Sequence, residues 1–452
     1  MGERTHEAPD CSAVRGKRLL IALSGGADSV ALTVMLHAAR QSCHLTLFAA
    51  HLDHGIRPES AEDAAFCRRL CHDLGIPFLS KRVDVPALAA ARRVGIETLA
   101  RELRYAWLRQ CRRETQADYI ALAHHMDDQA ETVLMHLSRG TGPQGIGGMR
   151  EIAGDLYRPL LPFRKAELTA YLISRGYTWR EDFTNAIDDN PRNALRAHVI
   201  PELEKSYPQF VRAAARYADA ARIESDFLDD LTAQYLAKAL GGNGLCRWLE
   251  LAPPRAVLRR ALRSAYPGGP PDWDMLSALE NLCGQPRGKI DIGKTHYAER
   301  TGRRLYFVPK RLPEIRPALL NSEGETFCPP LCRITATPCA PIPIRDDPRR
   351  QVLNPAALDG AVIRTRREGD RIRPLGGGDR LLSDYLIDKK VDRPLRDAIP
   401  LVAVGNRVHW VCGLGISQEA SIHPGDSAVM LEYNEINATE DESCATISKE
   451  CF

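Results

Sequence analysis

The sequence lacks the features of three special classes of protein. Its 13 cysteines in 452 residues are too sparse for a disulfide scaffold, and no two of them have C-x-x-C spacing. No apolar run can cross a bilayer, because Ser24, Asp28 and Ser29 interrupt the stretch from Leu19 to Ala38. The first residues are charged and contain no apolar signal segment. We therefore expect a cytoplasmic protein that contacts no membrane.

The sequence also has no internal repeat and little excess of either charge. It contains 61 Lys and Arg against 58 Asp and Glu, a net charge of +3, and 44% of its residues are hydrophobic. This composition excludes collagen-like and wholly disordered chains. The net charge is too small to indicate nucleic-acid binding by itself, so any such site must come from local clusters. At ~100–200 residues per domain, the length predicts two to four domains.

From Lys17 onward, short apolar runs alternate with amphipathic stretches. This alternation of strand and helix predicts an α/β fold with a parallel sheet covered on both faces. Ligands of such sheets bind at the carboxyl ends of the strands. Polar clusters follow three of the predicted strands, at residues 24–29, 53–57 and 124–131. We therefore expect a binding site at this edge of the sheet.

Changes in composition predict the division of the chain. We expect a mainly helical domain after the α/β domain, then a small α+β domain with the β-like runs VIRTR, RVHWVCGLG and AVMLEY. The predicted segments are a flexible N-terminus (1–16), the α/β catalytic domain (17–208), a mainly helical substrate-binding domain with a hairpin (209–312), a Pro-rich connection (313–350), the C-terminal domain (351–433) and an acidic, disordered tail (434–452).

Two glycine patterns match known nucleotide motifs but have the wrong context. Gly288, Gly293 and Lys294 fit a triphosphate-binding loop, yet the surrounding residues alternate with period two and predict a hairpin rather than a helix. The glycines between Gly140 and Gly145 fit a dinucleotide fingerprint, but they follow a helical pattern and enclose Pro143. We expect a hairpin and a loop at these positions.

A third glycine pattern lies between an apolar strand and an apolar helix, which is the setting of a phosphate site. It consists of Ser24, Gly25, Gly26, Ala27, Asp28 and Ser29. Glycines allow close backbone approach, and the free amides and dipole of a helix start attract an anion. The two serines can donate hydrogen bonds to phosphate, and Asp28 could hold Mg²⁺. The alternative is a tight turn with a capping side chain.

This hexapeptide resembles the SGGxDS loop of the N-type ATP pyrophosphatases, the PP-loop superfamily. Further motifs are similar to those of the tRNA(Ile)-lysidine synthetase family through about Leu203, and the likeness resumes in the C-terminal domain. One departure is Asp182-Phe183-Thr184-Asn185, where the family usually has Asp-Pro-Ser-Asn. The matching segments are His51–Arg57, His124–Thr132, Arg139–Pro143, Arg158–Leu161, Arg192-Asn193, EGDRIRPLGGG and LRDAIPLVAVGNRVHWVCG.

The resemblance implies a specific ATP-dependent reaction. ATP would adenylate the C2 carbonyl oxygen of the wobble cytidine in the isoleucine tRNA with a CAU anticodon, and the ε-amine of L-lysine would then displace AMP. The fold implied is the adenine-nucleotide α-hydrolase type, with Mg²⁺ as cofactor. We predict that ATP is bound by the hexapeptide Ser24–Ser29 together with His51 and Asp53, although the histidine could instead be a capping or packing residue.

Carboxylates and arginines provide the remaining candidate residues. Asp128 and Glu131 are three apart on a predicted helix and can share a face with His124 or His125. With Asp28 these two carboxylates are our catalytic candidates, and with His125 they could bind the substrate. The alternative is an ordinary helix start, which favours acids. We predict further substrate contacts from four arginines, for which a solvated helix face or ion pairs are the alternative: Arg101, Arg104, Arg192 and Arg196.

Basic clusters in two places are candidates for binding the tRNA backbone. Between Arg364 and Arg396, ten basic residues face six acids, an excess of 10 − 6 = +4. The second cluster is a predicted helix with Arg255, Arg259, Arg260 and Arg263. A solvated surface is the alternative, and the salt dependence of binding distinguishes the two.

Three other functions share the adenylation loop. A tRNA-thiolating enzyme needs a reactive sulfur carrier, and no cysteine occurs within the motifs of the N-terminal domain. A small-molecule amidating synthetase has no use for a basic C-terminal domain, and a non-catalytic nucleotide-binding module has no use for the carboxylates. The sequence leaves a homodimer open.

Overall fold

The computed structural model describes residues 8–56, 60–180, 191–242, 246–311, 315–343, 347–423 and 425–435. The chain forms two compact units, Met1–Asp226 and Phe227–Phe452, and the boundary between them falls within one long helix. Several predicted features lie outside the described residues. These are Arg57, the loop Asp182–Asn185 and the acidic tail beyond residue 435.

The first unit contains a six-stranded sheet in which five strands are mutually parallel. Its order is β3-β2-β1-β4-β6-β5, with β5 antiparallel to β6. The strands β1, β2 and β4 are rich in buried apolar residues, as expected for a sheet covered on both faces. The strands are β1 (Arg18–Ala22), β2 (Thr46–Asp53), β3 (Phe78–Arg82), β4 (Tyr119–Ala121), β5 (Ile152–Ala153) and β6 (Leu156–Tyr157).

Helices cover both faces of this sheet. One core contains residues of α1, α2 and α7, and a second core contains Leu108 and Cys111 of α4. The predicted α/β fold is therefore confirmed. The helices are α1 (Ala27–Ala39), α2 (Ser60–Asp73), α3 (Val85–Arg92), α4 (Ile96–Glu114), α5 (Met126–Ser138), α6 (Pro143–Ile146), α7 (Lys165–Ser174), α8 (Pro191–Ala194) and α9 (Ile200–Ser206), with a π-helical turn over Leu195–Val199 before α9.

The strand order locates the binding edge. The chain passes from β1 outward through β2 and β3, and then returns to β4 on the other side of β1. The connections therefore diverge at the carboxyl ends of β1 and β4, the type of position where open α/β sheets bind ligands. Residues 24–29, 53–56 and 124–131 follow β1, β2 and β4, as predicted.

Part of the predicted flexible N-terminus packs against the first unit. Cys11 is 1% exposed and Val14 is fully buried, and both belong to the core shared with α1. The Tyr157 hydroxyl also donates to the Asp10 carbonyl at 3.2 Å. These contacts bury two apolar side chains that the local charge pattern of the segment did not reveal.

The second unit begins within α10 (Phe210–Ala239) and continues with a five-stranded antiparallel sheet and two helices. The predicted hairpin is present between β10 and β11, and no helix follows Thr295. The sheet is larger than the single hairpin expected. Its order is β7-β8-β11-β10-β9, and the elements are β7 (Leu240–Gly242), β8 (Arg247–Glu250), α11 (Arg255–Ala265), α12 (Trp273–Gly284), β9 (Arg287–Ile292), β10 (His296–Thr301) and β11 (Arg304–Pro309).

Two further sheets and two short helices complete the second unit. One sheet has the order β12-β16-β19-β20-β17-β18 with β21 on β20, and the other has the order β13-β14-β22-β15. The elements are β12 (Ala318–Leu319), β13 (Gly324–Cys328), β14 (Cys332–Cys339), β15 (Arg350–Leu353), β16 (Val362–Arg364), β17 (Arg371–Ile372), β18 (Arg380–Leu381), α13 (Leu382–Asp388), α14 (Arg393–Arg396), β19 (Leu401–Val404), β20 (Arg407–Val411), β21 (Gly415–Ile416) and β22 (Ala428–Glu435).

The segment predicted as a Pro-rich connection differs from that expectation. It supplies β12, β13 and β14, and β14 pairs with β22 along its whole length. Pro338 is accommodated in β14 because pairing with β13 ends at Ala336, so only β22 adjoins the strand at that point. Cys332 and Ile334 are fully buried, and burial of such residues holds the segment in the C-terminal core.

A search of the described helices for a membrane-spanning segment finds none of sufficient length and apolar character.

Candidate active site

The predicted phosphate loop connects β1 to α1 and is organised by one hydroxyl group. The Ser29 Oγ accepts hydrogen bonds from the backbone amides of Ser24 at 3.2 Å and Gly25 at 3.1 Å, and lies 3.0 Å from the Ser24 Oγ. It donates to the Gly26 carbonyl at 3.0 Å. Gly26 caps α1 without any side-chain hydrogen bond. The amides of the first turn of α1 therefore have no side-chain cap and can serve an anion.

Gly25 is required by the backbone of this loop. Its φ of +94° lies in a region that other residues rarely adopt, and an added Cβ would approach the Cys67 Sγ to 3.3 Å. The Gly25 carbonyl accepts a hydrogen bond from the Arg180 amide at 2.9 Å. Arg180 in turn pairs with Asp63 at 2.8 Å and Glu62 at 2.9 Å on α2. The loop is thus fixed from both sides.

A cleft of about 390 Å³ opens beside the loop at the carboxyl edge of the sheet. The predicted ATP residues Ser24, Gly26, Asp28, Ser29, His51 and Asp53 line it. His51 and Asp53 already have partners within the protein, since the His51 Nδ1 lies 2.8 Å from the Leu23 carbonyl and the Asp53 Oδ1 accepts from the Gly55 amide at 2.8 Å. Their predicted role in nucleotide binding stays a prediction.

Four buried polar atoms around the cleft have no hydrogen-bond partner among the residues that the structure describes. They are the Asp28 Oδ1, the His54 Nδ1, the Ser60 Oγ and the His124 Nδ1. Leaving such atoms unsatisfied is costly, which makes them candidates for ligand contacts. Burial lowers the pKa of His124 to about 4 and also lowers the pKa of His54, so both imidazoles are neutral at pH 7.

His125 connects the phosphate loop to the acidic start of α5. Its Nε2 lies 3.6 Å from the Asp28 Oδ2 and 3.6 Å from the Asp128 Oδ2. Burial would lower the pKa of His125, but the hydrogen bond to Asp28 and the neighbouring carboxylate charges raise it above the usual value. Burial likewise opposes ionisation of Asp28, yet its hydrogen bond to His125 holds the Asp28 pKa below the ordinary value. Both shifts favour the charged forms of this pair in spite of its burial.

The other predicted carboxylates lie in a compact cluster with two predicted arginines. Glu131 is 1% exposed and is bound by the Nε of Arg192 at 2.7 Å and the Nε of Arg196 at 2.6 Å. The Asp128 Oδ1 accepts from the same two arginines at 3.2 and 3.1 Å. The cluster thus joins α5 to the segment formed by α8 and the π-helical turn, 61 to 68 residues later in the chain.

The two predicted arginines of α4 occupy different positions. Arg104 lines the cleft, whereas Arg101 is not among the residues that line it. The guanidinium groups of both lie over the Tyr105 ring, at 5.1 Å for Arg101 and 5.7 Å for Arg104. Arg104 can therefore contact a ligand in the cleft, while the structure brings Arg101 to its neighbour's aromatic ring. Both substrate roles stay predictions.

Several residues of the site were not anticipated from the sequence. Ser60, Asp63 and Tyr105 line the cleft, and Arg180 supports the loop from a distant segment. None of them stands in a motif, so local pattern provided no signal. Their positions follow only from the packing of α2 and α4 against the sheet.

Asp28 is suited to the role of Mg²⁺ ligand that the sequence predicts for it. Its Oδ1 is buried and has no partner in the part of the chain that the structure describes. Mg²⁺ is usually held by one or two carboxylates together with phosphate oxygens. The described residues contain no group of three or more His, Cys, Asp or Glu arranged to hold a metal ion. An ion at Asp28 would therefore need oxygen ligands from the nucleotide.

The basic clusters are partly neutralised. In the C-terminal cluster, Arg364 is 2% exposed and pairs with Asp370, so it belongs to the core and cannot contact RNA, contrary to our expectation. Arg366, Arg371 and Arg380 also form ion pairs. On α11, Arg259 pairs with Glu280 and Arg260 with Asp229, while Arg255 lies 3.9 Å from Glu280 and is 86% exposed in its side chain. Fewer cations are thus available than the sequence suggested.

Comparison with known proteins agrees with this architecture. The sequence model of one protein family, the PP-loop domain, matches residues 5–203. The sequence model of a second family, the TilS substrate C-terminal domain, matches residues 361–433. The first match covers the sheet and the cleft that are described above. The second match covers β16 to β21 of one C-terminal sheet and most of β22 of the other.

Curated relatives are similar over most of the chain. A tRNA(Ile)-lysidine synthase of Thermus thermophilus is 37% identical over 88% of this chain and 69% of its own length. The enzyme of Geobacillus kaustophilus is 31% identical over 94% of this chain and 96% of its own length, and that of Geobacter sulfurreducens is 32% identical over 92% of each. With both domain models matched, the chain belongs to the tRNA(Ile)-lysidine synthase family.

Proposed function

We propose that the protein uses ATP to attach L-lysine to C2 of the wobble cytidine in the isoleucine tRNA with a CAU anticodon. The C2 carbonyl oxygen attacks the α-phosphorus of ATP and pyrophosphate leaves. The ε-amine of lysine then forms a bond to C2, and the C2–O bond breaks to release AMP. A carbonyl oxygen is a poor leaving group and an adenylate is a good one, which explains the use of ATP.

The uncapped start of α1 behind the loop organised by Ser29 is the observation that supports adenylation. The Ser29 Oγ accepts from the amides of Ser24 and Gly25, so the protein's own hydrogen bonds hold the loop in this conformation. The first-turn amides of α1 would bind the pyrophosphate portion of ATP, and the helix dipole favours its charge. Mg²⁺ held by Asp28 would neutralise further phosphate charge.

The charged cluster of Asp128, Glu131, Arg192 and Arg196 is our candidate for the lysine site. It presents two carboxylates for an amine and two guanidinium groups for a carboxylate, and a free amino acid carries both. Because the four side chains now bind one another, lysine would exchange some of these contacts rather than fill an open pocket. His125 would transmit their position to Asp28 through its 3.6 Å contacts.

A Glu131→Gln variant tests the lysine site. We expect the KM for lysine to rise by roughly tenfold, which corresponds to about 1.4 kcal/mol, while the KM for ATP changes little. Thr132→Val on the same helix is the control, because its hydroxyl bonds only to the Asp128 carbonyl in the described contacts. An unchanged KM for lysine with a normal melting temperature would remove Glu131 from the site.

The overall reaction is tested by omission. The enzyme is incubated with labelled lysine, ATP and the tRNA, and AMP formation and the mass of the tRNA are measured. Omitting tRNA should stop AMP formation, and only the complete mixture should add the mass of lysine to the tRNA. AMP formed without label transfer would contradict the proposal.

No observation favours the thiolation alternative. Cys67 packs against Gly25 of the loop, but it is fully buried and burial raises its pKa to about 12. It is therefore a thiol rather than the thiolate that sulfur transfer requires. The cytoplasmic location and the oligomeric state remain predictions.

A further inference from the structure

A second cleft, of about 370 Å³, lies within the second unit and is separate from the nucleotide loop. Trp248 of β8 and Arg304 of β11 line it. Lys389 and Lys390 in the turn after α13 and Tyr433 of β22 also line the cleft. The two lysines belong to the basic cluster predicted between Arg364 and Arg396, but the sequence did not indicate a cleft that also contains Trp248.

The charges around this cleft leave an excess of positive charge. Its cations are Arg304, Arg349, Lys389 and Lys390. The carboxylates of Asp392 and Glu435 also line it, and Arg349 lies 3.4 Å from Glu435. Arg304 lies 2.9 Å from Glu250 and 3.9 Å from Asp392, so the four cations still outnumber these three carboxylates. Asp392 also accepts a hydrogen bond from the Tyr306 hydroxyl. Among the residues with described positions, no carboxylate pairs with Lys389 or Lys390. The cleft therefore favours an anionic group beside these two lysines.

The backbone at Lys390 adds an independent observation. Its φ is +56°, in the left-handed region where glycine is preferred at the end of a helix. The conformation is held by hydrogen bonds from the Lys390 amide to the Ile387 carbonyl at 2.9 Å and from the Val391 amide to the Leu386 carbonyl at 3.0 Å. Lysine raises the free energy of this turn relative to glycine, and no described ion pair offsets that cost.

The indole ring supplies an aromatic surface in the same cleft. Trp248 is half-buried, and its ring centroid is 6.1 Å from that of Tyr306. The Arg304 guanidinium lies 5.8 Å from the Trp248 ring. The Lys389 Nζ lies 5.7 Å from the Tyr385 ring, but no described carboxylate pairs with either lysine. An aromatic surface next to these lysines matches the two parts of a nucleotide, because bases stack on aromatic rings and phosphates bind lysine.

We propose that this cleft binds one unpaired nucleotide of the substrate tRNA, with the base stacked against Trp248 and the phosphate held by Lys389 and Lys390. The proposal rests on the proposed function in taking tRNA as the polyanion. It differs from a general basic surface because it predicts one base stacked on Trp248 and one phosphate bound by the two lysines.

Two variants test the two halves of this contact. Lys390→Gly should weaken tRNA binding by roughly threefold to tenfold and reduce the log–log salt slope by about 0.7 to 0.9, because one phosphate contact is lost. Its melting temperature should stay the same or rise, since glycine suits the left-handed turn. Trp248→Leu should weaken binding by roughly 5- to 100-fold with an unchanged salt slope, because stacking releases no counterions.

Matched variants separate the proposal from nonspecific effects. Lys390→Arg should retain the affinity and slope, and so should Lys294→Gln, which removes an exposed charge from the β9–β10 turn. Binding is measured without ATP or lysine, so a failure of the overall reaction would leave this test intact. A Lys390→Gly protein with the wild-type affinity and slope would overturn the proposal. A Lys390→Gly protein that loses AMP binding but keeps its affinity for tRNA would also overturn the proposal, because that result would assign the cleft to a free nucleotide.

Discussion

Two regions of the molecule bury ionisable side chains, and they differ in how far the protein itself supplies their hydrogen-bond partners. In the C-terminal unit, the Arg364 guanidinium donates to both Asp370 oxygens at 2.8 Å and to the Gly405 carbonyl at 2.8 Å. At the cleft of the first unit, buried atoms of Asp28, His54 and His124 have no partner among the described residues. Protein groups satisfy almost all polar atoms of the first arrangement, whereas several atoms of the second have no partner among the described residues.

This difference teaches which charged residues are structural and which are available to a ligand. Counting basic residues assigned Arg364 to an RNA surface, but its partners place it in the core. Conversely, the orphaned atoms of the cleft would be costly unless a ligand or water completed them. Whether a charged side chain already has partners within the protein therefore indicates its role better than its residue type does.

The largest effect is expected at the cleft of the first unit, where Asp28 lies. Asp28→Asn should reduce lysine transfer to tRNA by roughly 10³-fold, because it removes a charge proposed to act on the phosphates. Affinity for tRNA should be nearly unchanged in a filter-binding assay. Asp73→Asn, an exposed carboxylate on α2, is the control. Retained transfer by the Asp28 variant would exclude that residue from the chemistry.

A change in the buried Arg364–Asp370 pair should alter the stability of the protein instead. Asp370→Ala leaves Arg364 buried without its carboxylate, so the free energy of unfolding should fall by about 3 to 5 kcal/mol. Denaturant unfolding measures this loss. At a temperature where the variant remains folded, AMP formation should match the wild type. A variant as stable as the wild type would mean that the pair contributes little.

A smaller effect is expected from the loop hydroxyl. Ser29→Ala removes the acceptor for two backbone amides, so kcat/KM for ATP should fall by roughly 30- to 100-fold, equivalent to about 2 to 3 kcal/mol. Steady-state kinetics with saturating lysine and tRNA measure the change. Ser42→Ala, whose hydroxyl only caps the end of α1, should behave as the wild type. Equal kinetics in both variants would show that the loop forms without Ser29.

The smallest effect concerns pH. Burial lowers the pKa of His124 from 6.5 to about 4, so the unfolded chain binds a proton there that the folded protein does not. The unfolding free energy should therefore decrease as the pH falls from 6.5 towards 4. His124→Asn should flatten this part of the profile, and His198→Asn serves as a control on an exposed residue. Parallel profiles for wild type and His124→Asn would contradict the assignment.

The sequence predicted much of the first unit because its signals are local. Alternating apolar runs indicated the parallel strands, and the glycines and serines between β1 and α1 indicated the phosphate loop. The rejected motif around Gly293 was also recognisable, since period-two alternation and a turn are local features. The tertiary contacts of Arg180 and Tyr105 had no such signal, because they depend on packing between distant segments.

The sequence alone determined that polar clusters would meet at one edge of a sheet, since the carboxyl ends of parallel strands share that edge. Only the tertiary structure decided that Glu131 is held by Arg192 and Arg196, that Arg364 is buried, and that the Pro-rich segment supplies strands of the C-terminal core. The physical reason is that a charged or proline-containing segment has several acceptable local conformations. The partner that selects one of them lies elsewhere in the chain, and only packing brings it into contact.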